Sequence, residues 1–118
     1  MKKFFATLLM GAAVLTGSAQ TEFRHISFDE SLAAAKQEGK LVFIDFFTTW
    51  CGPCKMMSSK TFPQKEVGDF MNAKFIPIKM DAENEGLELA KKYGVTAYPT
   101  YVVIDANGKE VAKFSGYM

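Results

Sequence analysis

Cys51 and Cys54 are the only cysteines in the 118-residue chain, and two residues, Gly52 and Pro53, separate them. A thiolate is the nucleophile of disulfide exchange, and a C-x-x-C pair can attack a disulfide with one sulfur and release the product with the other. The segment from Cys51 to about Lys60 reads as a helix, because a proline in the first turn removes no amide that the helix needs. Cys51 then sits at the helix amino terminus, where unpaired amides and the positive end of the dipole favour thiolate and leave that sulfur the exposed one. Cys54 falls on the same face of the first turn. A purely structural bridge across two residues would constrain the unfolded chain very little. Two cysteines are also too few for a four-ligand zinc site, and the single histidine, His25, lies far away in sequence. The chemistry expected here is dithiol–disulfide exchange, with no metal and no cofactor beyond the cysteine pair.

A second group belongs with the first. Asp45 interrupts Leu41-Val42-Phe43-Ile44-Asp45-Phe46-Phe47, a run whose aromatic and β-branched content predicts a strand covered on both faces. An isolated carboxylate inside such a strand is costly to ionise, so its pKa should rise toward the range useful to a general base.

The surrounding elements follow from caps and periodicity. Glu22 to Ile26 reads as a short strand. Ser27 and Glu30 form a capping-box pattern ahead of a helix running to about Glu38, which Gly39 ends in a left-handed conformation. After Pro63, Lys65 to Asn72 reads as a helix with Val67, Phe70 and Met71 on one face. Phe75 to Met80 reads as a strand, and Asn84 as the cap of a helix from Glu85 to Tyr93 that Gly94 closes. Thr100 to Ile104 and Val111 to Ser115 read as an antiparallel pair joined by a two-residue Asn107-Gly108 turn. Helical methionines, Met56 and Met57 among them, read as packing under the active-site helix.

Composition narrows the remaining choices. The formal charge is +1, which gives no basic surface for nucleic acid. Residues 1–19 read as a cleaved signal peptide: Lys2 and Lys3 form a positive start, Phe4 to Leu15 an apolar core, and Gly17-Ser18-Ala19 a small-residue cleavage site. An uncleaved anchor would need nearer to about 20 apolar residues. Residues 20–118 then form one α/β domain, exported from the cytoplasm to the periplasm or an equivalent compartment.

The run Trp50-Cys51-Gly52-Pro53-Cys54, after a buried-looking strand and before a helix, together with Tyr98-Pro99-Thr100 downstream, resembles the thioredoxin family from about Ile26 to the end. The leader, the Lys36-to-Phe47 run and Thr61-Phe62 look more like exported bacterial thioredoxin-like domains, including the reductant-carrying domain of the transmembrane thiol-electron conduit. The resemblance implies a thioredoxin fold, a central mixed sheet flanked by helices. It implies that Asp45 assists proton transfer at Cys54, that Lys79 neighbours Asp45, and that Pro99 is a cis-proline facing the disulfide. The backbone of Tyr98 would pair with an extended substrate segment, beside a surface formed with Trp50, Gly52 and Pro53. Trp50 would pack against the disulfide and shield it. Thr48-Thr49 and Tyr98 depart from the usual residues of the family and should alter the rim of the substrate groove. The family also has a helix after its last strand, with no counterpart before Met118. An apolar face built from Val102, Ile104, Val111 and Phe114 is therefore expected to lie uncovered, leaving the domain marginal or self-associating.

The function expected is a disulfide reductase of exported proteins, acting on protein disulfides and recharged by an upstream thiol donor, free or membrane-embedded. The alternatives are a disulfide oxidase or isomerase, and a docking module of a longer protein.

Overall fold

The computed structural model describes residues 20–117; the leader expected over residues 1–19 lies outside the described residues. Helix α1 (Phe28–Glu38) starts from the predicted box: the Glu30 amide donates to Ser27 Oγ at 3.0 Å, and the Ser27 amide donates to Glu30 Oε1 at 2.8 Å. It ends at Gly39, whose φ of 68° is the left-handed conformation the sequence called for. Strand β1 (Leu41–Phe47) follows, then α2 (Gly52–Met56), a π-helical turn (Met57–Thr61), α3 (Lys65–Lys74) and β2 (Phe75–Asp81). The chain closes with α4 (Leu87–Lys92), β3 (Thr100–Ile104) and β4 (Glu110–Ser115). The four strands form one mixed sheet in the order β2-β1-β3-β4, with β1 parallel to β2 and the other pairs antiparallel.

The period of two along β1 divides the core into two layers. Val42, Ile44 and Phe46 pack with Ile76, Ile78, Val102 and Ile104 beneath Ala35 of α1 and Ala90 of α4. On the other face Phe43, Tyr101 and Val103 pack beneath Met57, Phe62 and Met71. Asp45 has the parity of Phe43, so it faces the layer of the active-site helix.

Several expectations are corrected. Glu22 to Ile26 is not a strand. It makes one rung with the sheet, Arg24 N to Pro77 O at 2.8 Å. Pro77 presents a carbonyl to that edge but has no N–H to return, so a ladder cannot propagate there. Asn84 does not cap a helix: its side-chain Nδ2 donates to Asp81 Oδ2 at 2.8 Å, and α4 begins two residues later than expected, after Gly86. The β3–β4 connection is a longer loop in which Asp105 Oδ1 accepts from the amides of Asn107 and Lys109. Among the described residues only glycines have positive φ, so Asn107 cannot take its place in a two-residue turn of the primed type. The helix after Cys51 keeps α-geometry only to Met56 and then loosens, with the Phe62 amide reaching back to Met57 O. Met57 is buried, but Met56 and Phe70 are exposed.

The uncovered apolar face also differs from the one expected. Val102 and Ile104 are fully buried under α1 and α4. The β3–β4 register pairs Tyr101 with Phe114 and Val103 with Ala112, and an irregularity at Val103/Ile104 breaks the simple alternation. The open face is therefore on the α3 side, where Leu41, Phe43, Phe70, Val103, Val111 and Phe114 contribute to an apolar groove of about 430 Å³.

Gly86 is required for packing. A Cβ there would lie 2.8 Å from Met80 Cβ and 2.9 Å from the Asp81 carbonyl oxygen, neither of which is a free side-chain end. Gly86→Ala should lower stability by about 1–3 kcal/mol. Equilibrium urea unfolding reads this as a lower midpoint, and an unchanged midpoint would show that the loop relaxes freely.

Candidate active site

The site forms where β1 hands over to α2. The Cys51 amide donates to Thr48 O at 3.3 Å, closing a turn that delivers Cys51 to the start of the helix as its N-cap. Cys51 and Cys54 are joined in a disulfide. The Cys54 amide donates to Cys51 Sγ at 3.0 Å, the helix-terminal contact that stabilises a thiolate on the first cysteine once the bond is reduced. In this oxidised state Cys51 is 3% exposed and Cys54 6%, so exposure does not distinguish the two sulfurs as expected. Their surroundings do.

Cys54 opens into a cavity of about 350 Å³ that Asp45, Phe47, Thr48, Thr49, Lys55, Ser58 and Lys79 complete. Asp45 is 2% exposed, and its Oδ1 has no hydrogen-bond partner. Burial pushes its carboxyl up to about 6, a rise that the charge of Lys79 partly opposes. Lys79 is the register partner of Asp45 on β2 but does not pair with it. Its ammonium instead donates to Ser58 Oγ and lies over the Phe23 ring, 4.9 Å from the centroid, with Phe47 at 5.9 Å. Tyr101, opposite Asp45 on β3, is fully buried with no partner for its hydroxyl, and burial together with the nearby Asp45 charge pushes that phenol upward.

The other expected residues lie outside the lining of that cavity. The Tyr98–Pro99 peptide bond is cis. Thr100 Oγ1 bonds to Ala97 O at 2.6 Å across that bond, and the Gly116 amide donates to Pro99 O at 3.0 Å, which ties the loop to the end of β4. The Tyr98 ring meets Trp50 edge-on, with centroids 6.1 Å apart. Trp50 is 64% exposed, so it borders the disulfide without covering it, and its indole N–H donates to Glu83 Oε1 at 3.0 Å. Gly52 and Pro53 are exposed beside the disulfide, as is Thr49. Thr48 is buried in the Asp45 cavity wall and does not reach the rim. His25 is exposed and belongs to none of this. Among the described residues no cluster of histidine, cysteine and carboxylate side chains is placed to hold a metal ion.

Two participants escape the sequence reading, Ser58 and Glu83. Ser58 has a signal in hindsight: four residues after Cys54 on a helix, it must share the face that looks toward Asp45. Nothing local marks Glu83, which reaches Trp50 from the loop after β2.

A mixed sheet carrying a C-x-x-C disulfide at a helix start, over a buried carboxylate and beside a cis-proline loop, defines a thiol–disulfide oxidoreductase. Residues 28–118 match the family model of the thioredoxin-like domain, and the chain belongs to the thioredoxin family. It is 36% identical over 98 residues to thioredoxin of Mycoplasma genitalium, covering 83% of this chain and 87% of that protein. To thioredoxin-1 of Saccharomyces cerevisiae it is 40% identical over 103 residues, 81% and 84% of the two chains. Among solved structures it is similar to a protein described as a disulphide-isomerase from Bacteroides thetaiotaomicron, with a TM-score of 0.75, 47% identity and 86% of each chain covered.

Proposed function

We infer that the protein is a disulfide reductase of exported proteins. The observation that carries the reading is the asymmetry of the two sulfurs: Cys51 accepts an amide hydrogen bond at the helix start, while Cys54 faces Asp45. Cys51 thiolate attacks one sulfur of a substrate disulfide, a mixed disulfide forms, and the other substrate sulfur leaves as a thiolate. Asp45 takes the proton of Cys54, whose sulfur then attacks Cys51 Sγ, so the second substrate thiolate leaves and two electrons have moved to the substrate. Pro99 and the Tyr98 backbone, with Trp50, Gly52 and Pro53, form the surface on which an extended substrate segment lies. Lys79 is the charged neighbour of Asp45, and its field limits the carboxyl's proton affinity. An upstream thiol donor restores the dithiol. The basic, apolar and small-residue succession over residues 1–19 supports removal of that segment and export of residues 20–118. Among the described residues no helix is long and apolar enough to cross a membrane.

An isomerase or oxidase is the second reading, favoured by the description of the Bacteroides relative. The reduction potential of the Cys51–Cys54 couple separates the two. A value near about −270 mV is expected for a reductase, whereas a value near about −120 mV would make the protein an oxidant.

A further inference from the structure

We propose that Ser58 is a positioning residue, whose hydroxyl holds the Lys79 ammonium at the mouth of the Cys54–Asp45 cavity and away from the Asp45 carboxylate. The inference rests on the reading of Asp45 as the base for Cys54. Lys79 and Asp45 are Cα partners in the parallel β1–β2 register, and both line the same cavity. A flexible four-carbon stem in that position can reach a carboxylate on the neighbouring strand, and Asp45 Oδ1 stands buried without a partner. An ion pair is nonetheless absent. The ammonium is turned to Ser58 Oγ and seated against Phe23, with Phe47 farther off. Ser58 lies one helical turn beyond Cys54, so the group that holds the cation is carried by the same segment as the resolving sulfur.

The distance has a chemical consequence. A cation within about 4–6 Å of a carboxylate lowers its pKa by about 1–3, whereas one held farther away contributes a weaker field. Paired with Lys79, Asp45 would be an ionised partner of a lysine and a poor acceptor for the Cys54 proton. With Lys79 held by Ser58, it keeps its proton affinity near neutrality. The other groups facing Asp45 are the Tyr101 phenol from β3, the Cys54 sulfur, and Lys55 on the cavity rim from α2. None of them bonds to Lys79. Removing the Ser58 hydroxyl leaves Asp45 Oδ1 and Thr48 Oγ1 as the unpartnered acceptors on the cavity wall; of the two only the carboxylate carries charge, and Lys79 turns toward it.

The test is an NMR titration of the Asp45 side-chain carboxyl carbon in the oxidised protein, which needs no turnover. Ser58 is exposed, so Ser58→Ala leaves the core intact. Its midpoint should fall by about one pH unit relative to the wild type. Ser58→Thr, which keeps the hydroxyl, should restore it, and Lys79→Met should raise it. An unchanged or raised midpoint in Ser58→Ala overturns the proposal, as does failure of Ser58→Thr to restore it. A wild-type midpoint at the ordinary carboxyl value would instead remove Asp45 as the base, and so would count against the functional reading itself.

Discussion

Cys51→Ser is expected to abolish disulfide exchange, and Cys54→Ser is expected to stop it half-way with substrate held on Cys51. The structure separates the two roles by surroundings, since Cys51 is the N-cap that accepts the Cys54 amide and Cys54 opens to Asp45. Without Cys54 the mixed disulfide can be released only by an external thiol. An intramolecular attack from a well-placed group has an effective concentration far above that of millimolar dithiol, so turnover should fall by at least about 10³-fold. Non-reducing mass spectrometry should find the substrate adduct in Cys54→Ser and none in Cys51→Ser. Adducts in the opposite pattern would reverse the assignment.

Asp45→Asn should make the oxidised protein more stable and a slower enzyme. In the folded state the Asp45 carboxyl is held at about 6 by burial, above its ordinary 3.8. A carboxyl with a raised folded pKa costs no stability below about pH 4. Its cost grows as the pH rises through the interval from about 4 to 6, and is complete above it. The full difference corresponds to about 3 kcal/mol. The asparagine variant, which never ionises, should therefore unfold at higher denaturant above pH 7 by up to that amount, with the advantage gone at pH 4. Loss of a positioned base should slow release of the mixed disulfide by about 10²–10⁴-fold. Paired denaturation curves at pH 4 and pH 8 read the first effect. An equal stability difference at both values would show that ionisation of Asp45 is not its source.

What was legible in the sequence was what local chemistry determines. The capping box at Ser27 and Glu30, the glycine after α1, the apolar run of β1 and the proline in the first turn of α2 each specify their own conformation, and the structure has them in place. Asp45 stood out because a lone carboxylate in such a run is costly to ionise unless it sits at a strand edge facing water. What failed depended on which of several available partners a group takes, some close in sequence and some remote. Asn84 carries a capping side chain, but Asp81 takes it. Glu22 to Ile26 has the residues of a strand, but Pro77 denies it a donor. Val111 and Phe114 are apolar, yet the irregular register of β3 and β4 decides which layer they face, and it is not that of Val102. Thr48 reads as a rim residue until the turn that brings Cys51 to the helix buries it. The spacing of Ser58 from Cys54 gives its face, but its contact becomes visible only once Lys79 is placed, because it receives a cation from another strand.

The central claim is that this cysteine pair passes two electrons to a protein disulfide. It is tested most directly by mixing the reduced protein, freed of small thiols, with a disulfide-bonded protein and quenching with acid. One Cys51–Cys54 disulfide should appear for each substrate disulfide lost, with the two changes proceeding at the same rate. A reduced cysteine pair that persists beside an intact substrate disulfide would contradict the account.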